Sequence, residues 1–195
     1  MALSLTKNQT ISLEKTVGSR LESVTMGLGW DVAKPKGFLG RLMGGGQDSI
    51  DLDASVLLFD AQGQLQDQVW FRQLQSRDGS IQHSGDNRTG AGDGDDEQIR
   101  VNLSRLPATV QTLVFTVNSF TGQDFSRVEN AYCRLINDRG GAEIARYNLS
   151  SGGAHTGQIM ARLYRQGGDW QLQALGQVSS GRTFQDMMGD IRQHL

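Results

Sequence analysis

Ala-Ser-Val-Leu-Leu-Phe, residues 54–59, is a nearly continuous apolar run too short for an ordinary helix. As a strand it would carry apolar groups on both faces, so it needs cover above and below. Thr112–Val117 (TLVFTV) makes the same demand. Further extended segments recur along the chain, bounded by Gly, Asn or Asp: Ser23–Leu28, Val69–Phe71, Ile99–Leu103, Ala131–Asn137, Glu143–Leu149, Gln158–Tyr164 and Trp170–Ala174. At the start, Ala2, Ser4 and Thr6 alternate with Leu3, Leu5 and Lys7, and Ile11 and Leu13 repeat the pattern. About nine or ten strands spaced by ~10–15 residues imply an all-β fold, an antiparallel β-sandwich formed by a single domain over residues 1–195. The 25 glycines exceed the usual ~7% and supply the turns. Asp60–Gly63 and Arg165–Asp169 read as hairpin connections, and Pro107 breaks the chain before residue 112.

The C-terminus has a different period. Thr183 followed by Asp186 resembles a capping box, and Phe184, Met187, Met188, Ile191 and Leu195 fall at helical spacing. A short amphipathic helix at about 183–195, laid on the sandwich, is expected. Residues 34–49 (KPKGFLGRLMGGGQDS) form a basic, glycine-rich excursion carrying Phe38, Leu39, Leu42 and Met43. It reads as a variable loop or as an exposed apolar tip that docks on a partner or a lipid surface.

Several function classes are excluded by composition. A net charge of −2 with scattered basic residues gives no field for nucleic acid or an anionic membrane. Apolar runs fall short of the ~20 residues of a membrane span, and the N-terminus lacks the basic and apolar regions of a signal peptide. The single cysteine, Cys133, lies between apolar residues and is expected to be a buried thiol. A cytoplasmic protein is the expectation.

The chemistry-bearing feature is GDNRTGAGDGDDEQI, residues 85–99. It holds Asp86, Asp93, Asp95, Asp96 and Glu97 against Arg88 alone. Two carboxylates ~5 Å apart repel by roughly 3 kcal/mol at an effective dielectric near 20. A solvated loop and a shared cation both relieve that repulsion. Interleaved glycines permit a tight loop that turns oxygens inward. A second cluster, Asp48, Asp51 and Asp53, precedes the 54–59 strand, with Asp51 and Asp53 on one face, and Asp31 enters a loop that would share that end. Oxygen donors at flexible spacing suit Ca²⁺, with Mg²⁺ second. His83, His155 and His194 are scattered and offer no zinc pattern. Asp93-Gly-Asp95 starts like an EF-hand loop, but the twelve-residue pattern fails. No GxSxG elbow or Walker A motif is present, so catalysis is not expected. The enzymatic alternative is a metal-dependent hydrolase with His83 as its base.

These motifs resemble the TerD family of bacterial tellurium-resistance and stress proteins. The carrying residues are Gly27-Leu-Gly-Trp-Asp31, Asp51-Leu-Asp-Ala-Ser55, Gly85–Glu97, Phe125–Ala131 with Arg134-Leu135, and Ala145-Arg-Tyr147. The 34–49 insertion is similar to that of the TerZ-like branch. The resemblance implies a C2-like calcium-binding β-sandwich holding a pair of Ca²⁺ ions where the acidic motifs converge. It also implies metal ligands at Asp31, Asp51, Asp53, Asp86, Asn87, Asp93, Gly94, Asp95, Asp96 and Glu97. The function it implies is a non-enzymatic module of a stress-response system, contacting other stress or tellurium-resistance proteins, or a membrane-associated complex at the inner membrane. A C2-like calcium-dependent membrane binder is the other binding alternative.

Overall fold

A computed structural model describes residues 2–32, 51–85, 94–149 and 153–195. The 34–49 insertion, with Phe38, Leu39, Leu42 and Met43, lies outside the described residues. The described strands are β1 (Leu3–Ser4), β2 (Thr10–Ser12), β3 (Ser23–Val32), β4 (Leu52–Phe59), β5 (Leu65–Val69), β6 (Ile81–His83), β7 (Glu97–Asn102), β8 (Thr112–Ser119), β9 (Val128–Asn137), β10 (Ala142–Asn148), β11 (Gly157–Gln166) and β12 (Asp169–Ser179). They form two six-stranded sheets, ordered β1-β10-β9-β3-β7-β6 and β2-β12-β11-β8-β4-β5. All pairings are antiparallel except β1 with β10.

Alternation decides which side chains fill the space between the sheets. From β4, Leu52, Ala54, Val56 and Leu58 join Val24, Met26, Leu28 and Trp30 of β3 and Ile99 and Val101 of β7. The opposite face of β4 is buried as well, as the apolar run requires. Leu57 and Phe59 pack with Val114 and Ile159 beneath Phe184, Met187 and Ile191 of the C-terminal segment. That segment covers the sheet as expected but is not one helix. It runs as turns through 184–187, a single α-turn α2 (Met188–Ile191) and a 3-10 turn (Arg192–His194). Asp186 caps it, accepting the Arg182 and Thr183 N–H groups at 2.9 and 3.2 Å.

The N-terminus departs from the expected alternation. Asn8 adopts a left-handed φ of 67°, which breaks the run between β1 and β2. Leu13, expected in a strand, starts a five-residue helix, α1 (Leu13–Val17), whose N-cap Ser12 accepts the Lys15 N–H at 3.1 Å. The Asp60 turn forms as read, its carboxylate accepting the Gln62 and Gln64 N–H groups, each at 2.9 Å. Cys133 faces the core, and burial pushes its thiol up to about 12. Among the described residues, no helix is long and apolar enough to cross a membrane.

If the C-terminal segment is part of the core, truncating its buried methionine must cost global stability. Met187→Ala is predicted to lower unfolding free energy by about 2–5 kcal/mol. The exposed neighbour Gln185→Ala should stay within about 0.5 kcal/mol of the parent. Urea denaturation of both variants checks this.

Candidate metal centre

The acidic residues gather where β3 ends and β4 and β7 begin, because β3 and β7 pair antiparallel with Leu28 opposite Glu97. Glu97 points between the sheets and is fully buried. Its Oε2 accepts the Ala54 N–H at 2.7 Å and lies 3.4 Å from His83 Nε2. His83 is held from both sides. The Gly85 N–H donates to Nδ1 at 3.0 Å, which leaves the ring proton on Nε2, 3.2 Å from the Ala54 carbonyl.

Asp53 is also buried, on the opposite side of β4. It pairs across the ladder with Asn118 and shares its strand face with Leu57 and Phe59, whereas Ala54 and Val56 face inward with Ile99. Asp51 lies at the start of this strand, its carbonyl accepting the Phe120 N–H at 3.2 Å. The expectation that Asp51 and Asp53 share a face follows from that alternation, but the face is the outer one of the second sheet.

Asp96 closes the end of β3. Its N–H donates to the Leu28 carbonyl at 2.8 Å, and its Oδ2 accepts the Trp30 N–H at 2.9 Å. Burial pushes its carboxyl above the usual range, and Asp31, Asp95 and Glu97 add to the rise against the Trp30 hydrogen bond. Asp31 is exposed and accepts from Asn130 Nδ2 at 2.8 Å.

Asp95 turns the other way, onto the outer face of the first sheet. Arg134 grips it through Nε at 2.7 Å and Nη2 at 3.1 Å. Gln98 Nε2 donates to it at 3.0 Å. The Tyr132 hydroxyl stands 2.8 Å from the Gly94 carbonyl and 3.1 Å from Asp95 Oδ1. The hydrogen bond to Asp95 holds the Arg134 guanidinium above its ordinary value, while burial and Asp95 raise the Tyr132 phenol.

The structure therefore brings Asp31, Asp95 and Glu97 within electrostatic reach of Asp96, with Asp51 and Asp53 at the neighbouring start of β4. It does not stack them in one pocket. Among the described residues, no group of three or more His, Cys, Asp or Glu side chains stands close enough to hold a metal ion. Asp86, Asn87 and Asp93 lie outside the described residues. Sequence reasoning assigned no role to Tyr132 or Arg134 at this end. Glycines spaced by two within β3, Gly27 and Gly29, were the available sign of a close approach.

Residues 1–190 match the family described as TerD domain. The chain is 56% identical to "Tellurium resistance protein TerZ" of Serratia marcescens, covering 97% of this chain and 96% of that protein. It is 40% identical to "Stress response protein SCP2" of Bacillus subtilis (strain 168), covering 96% and 98%. A crystal structure of a homologue of telluride resistance protein (TerD) from Streptomyces coelicolor A3(2) matches with a TM-score of 0.65 at 21% identity. It covers 84% of this chain and 92% of that one, and it speaks to the fold alone.

The crowding around Asp96 has a pH signature. Because its folded pKa is raised, the stability linked to Asp96 is present at low pH and is lost as pH rises through that value. Asp96→Asn removes this loss. In chelator, the variant is predicted to gain stability relative to the parent at pH 7, and the gain should vanish below the ordinary carboxylate range. Urea melts at pH 7 and at about pH 2.5, below the ordinary aspartate value, measure the difference.

Proposed function

The chain belongs to the TerD-domain family, in which it is similar to tellurium-resistance and stress-response proteins, and on that premise we propose that it is a non-enzymatic calcium-binding module acting through calcium-dependent contacts. The observation that carries this reading is Asp96, half-buried and within electrostatic reach of Asp31, Asp95 and Glu97. An end of the fold that gathers this much negative charge favours any cation that reaches it.

The donor chemistry fits a hard cation. Asp31, Asp51, Asp53, Asp96 and Glu97 offer only oxygen, and Asp86, Asn87 and Asp93 of the same acidic motif would add more. Buried Asp53 and Glu97 face opposite sides of β4, a separation that favours two ions over one. Bound calcium supplies charge neutralisation. The chain's own residues orient the carboxylates through Trp30, Ala54 and Asn130. Asp95 and Gly94 are engaged by Arg134 and Tyr132, so the ligand set proposed here does without them.

Support for a non-catalytic role comes from His83. Its side chain is fully buried, and both ring nitrogens are engaged, so it is not presented as a base to a substrate. The partners proposed are other stress or tellurium-resistance proteins, met in the cytosol at a membrane-associated complex. Neutralising the acidic end would change the surface such a partner meets.

The test is a thermal melt in chelator, in Mg²⁺ and in a calcium series. At a hundred times its Kd, each calcium ion should stabilise the protein by about 2.7 kcal/mol. Asp53→Asn should lose most of that increment. Identical melts in chelator and millimolar calcium would sink the proposal.

A further inference from the structure

The outer face of β3 has a channel cut into it. Met26, Leu28 and Trp30 face the core, so Gly27 and Gly29 face out. Neither glycine has a positive φ, so backbone freedom does not explain them. Space does. A Cβ at Gly27 would overlap the Asp95 carboxylate, and one at Gly29 would lie 2.5 Å from the Tyr132 ring. The two missing side chains leave a seat for Asp95 and Tyr132 against the strand.

Once seated, Asp95 has a fully buried side chain. Its charge is met by the two Arg134 contacts, and a closed chain of contacts braces that arginine. Arg134 Nη1 donates to Glu143 Oε2 at 3.2 Å. Glu143 accepts from Arg146 Nε and Nη2, each at 2.9 Å. The Arg146 guanidinium lies over the Tyr132 ring at 4.0 Å. Tyr132 returns to Gly94 and Asp95 through its hydroxyl. The next two residues leave in other directions, Asp96 to the end of β3 and Glu97 between the sheets.

We propose that Asp95 is the anchor of the acidic segment rather than one of its cation ligands, and that Arg134, with the seat left by Gly27 and Gly29, is a positioning residue that aims Asp96 and Glu97. The inference rests on the cation reading above. A carboxylate buried against a guanidinium through two contacts has little charge left to offer a divalent ion. Equally, Asp95 cancels the positive charge of Arg134, which would otherwise repel an ion beside Asp96. An outer-shell partner of this kind orients ligands without touching the metal.

The experiment compares the full-length parent with Asp95→Asn, Arg134→Gln, Arg134→Lys and the Asp95→Asn/Arg134→Gln double variant. Calcium calorimetry gives ion count and affinity, and amide exchange in chelator reports on the Asp96 and Glu97 N–H groups. The two single neutral variants should keep the parent's ion count and each lose about tenfold or more in affinity. The double variant should be no worse than either single, because both remove one interaction. Arg134→Lys should fall between parent and Arg134→Gln, which keeps the test decisive if Asp95→Asn fails to fold. The Asp96 amide should exchange faster in both single variants with no calcium present. Loss of an ion in Asp95→Asn, or parental affinity in Arg134→Gln, overturns the proposal. A parent that takes up no cation overturns the cation reading. Exchange then decides the anchor alone: faster exchange in the variants supports it, and parental rates overturn it.

Discussion

A glutamate carboxylate buried between two sheets is the constraint from which the architecture of this end follows. β5 pairs with β4 as far as Val56 opposite Val69, so Ala54 lies beyond its partner strand. Its N–H and C=O would be buried polar groups at an open edge, a placement that costs on the order of 1–3 kcal/mol per group when unmet. Glu97 of β7 takes the N–H and His83 of β6 faces the carbonyl. Two strands of one sheet thereby complete the edge of the other. The acidic segment enters β7 through this residue, so its position is set by a requirement of the fold before any question of a ligand arises.

The direction of the neighbouring acids follows from that fixed point. A strand continued backward from Glu97 would put Asp95 on the same inner face. Gly94, at φ 103°, and the bend at Asp96 turn it outward instead, over Gly27 and onto Arg134. Three consecutive carboxylates are thus sent to an outer face, a strand end and the interior. The arrangement lowers their mutual repulsion and gives each a distinct polar partner. Charge density along the chain is consequently a poor measure of ligand density in space.

That distinction also marks what was legible in the sequence. The apolar run in β4 announced its two buried faces, Asp60 announced its turn, and the period around Met187 announced a cover for the second sheet. These signals are local, because a strand period or a side-chain turn is written within a few residues. The cover was read as one helix, yet only Met188–Ile191 forms an α-turn, and burial of Phe184, Met187 and Ile191 does not need more. The pairing of β1 with β10 and the grip of Arg134 on Asp95 join residues far apart in the chain. Neither leaves a periodic trace. Gly27 and Gly29 did leave one, since glycine on one face of a strand leaves room for a neighbour, but it does not name that neighbour.

The relatives carry different functional descriptions, tellurium resistance in one and stress response in another, over nearly the whole length of the same chain. A role common to both has to use something the fold builds in. Sulfur chemistry on an oxyanion is poorly served here. Cys133 is the sole cysteine, it packs among core residues, and its thiol is pushed up to about 12, far from the thiolate such chemistry needs. The acidic end is a different case. Its residues are supported by cross-sheet hydrogen bonds and by a surface ion-pair network, and its negative charge is maintained against the repulsion it creates. Structure that holds like charges together is what the proposed binding role would use, and Cys133 offers no thiolate for a sulfur-based alternative.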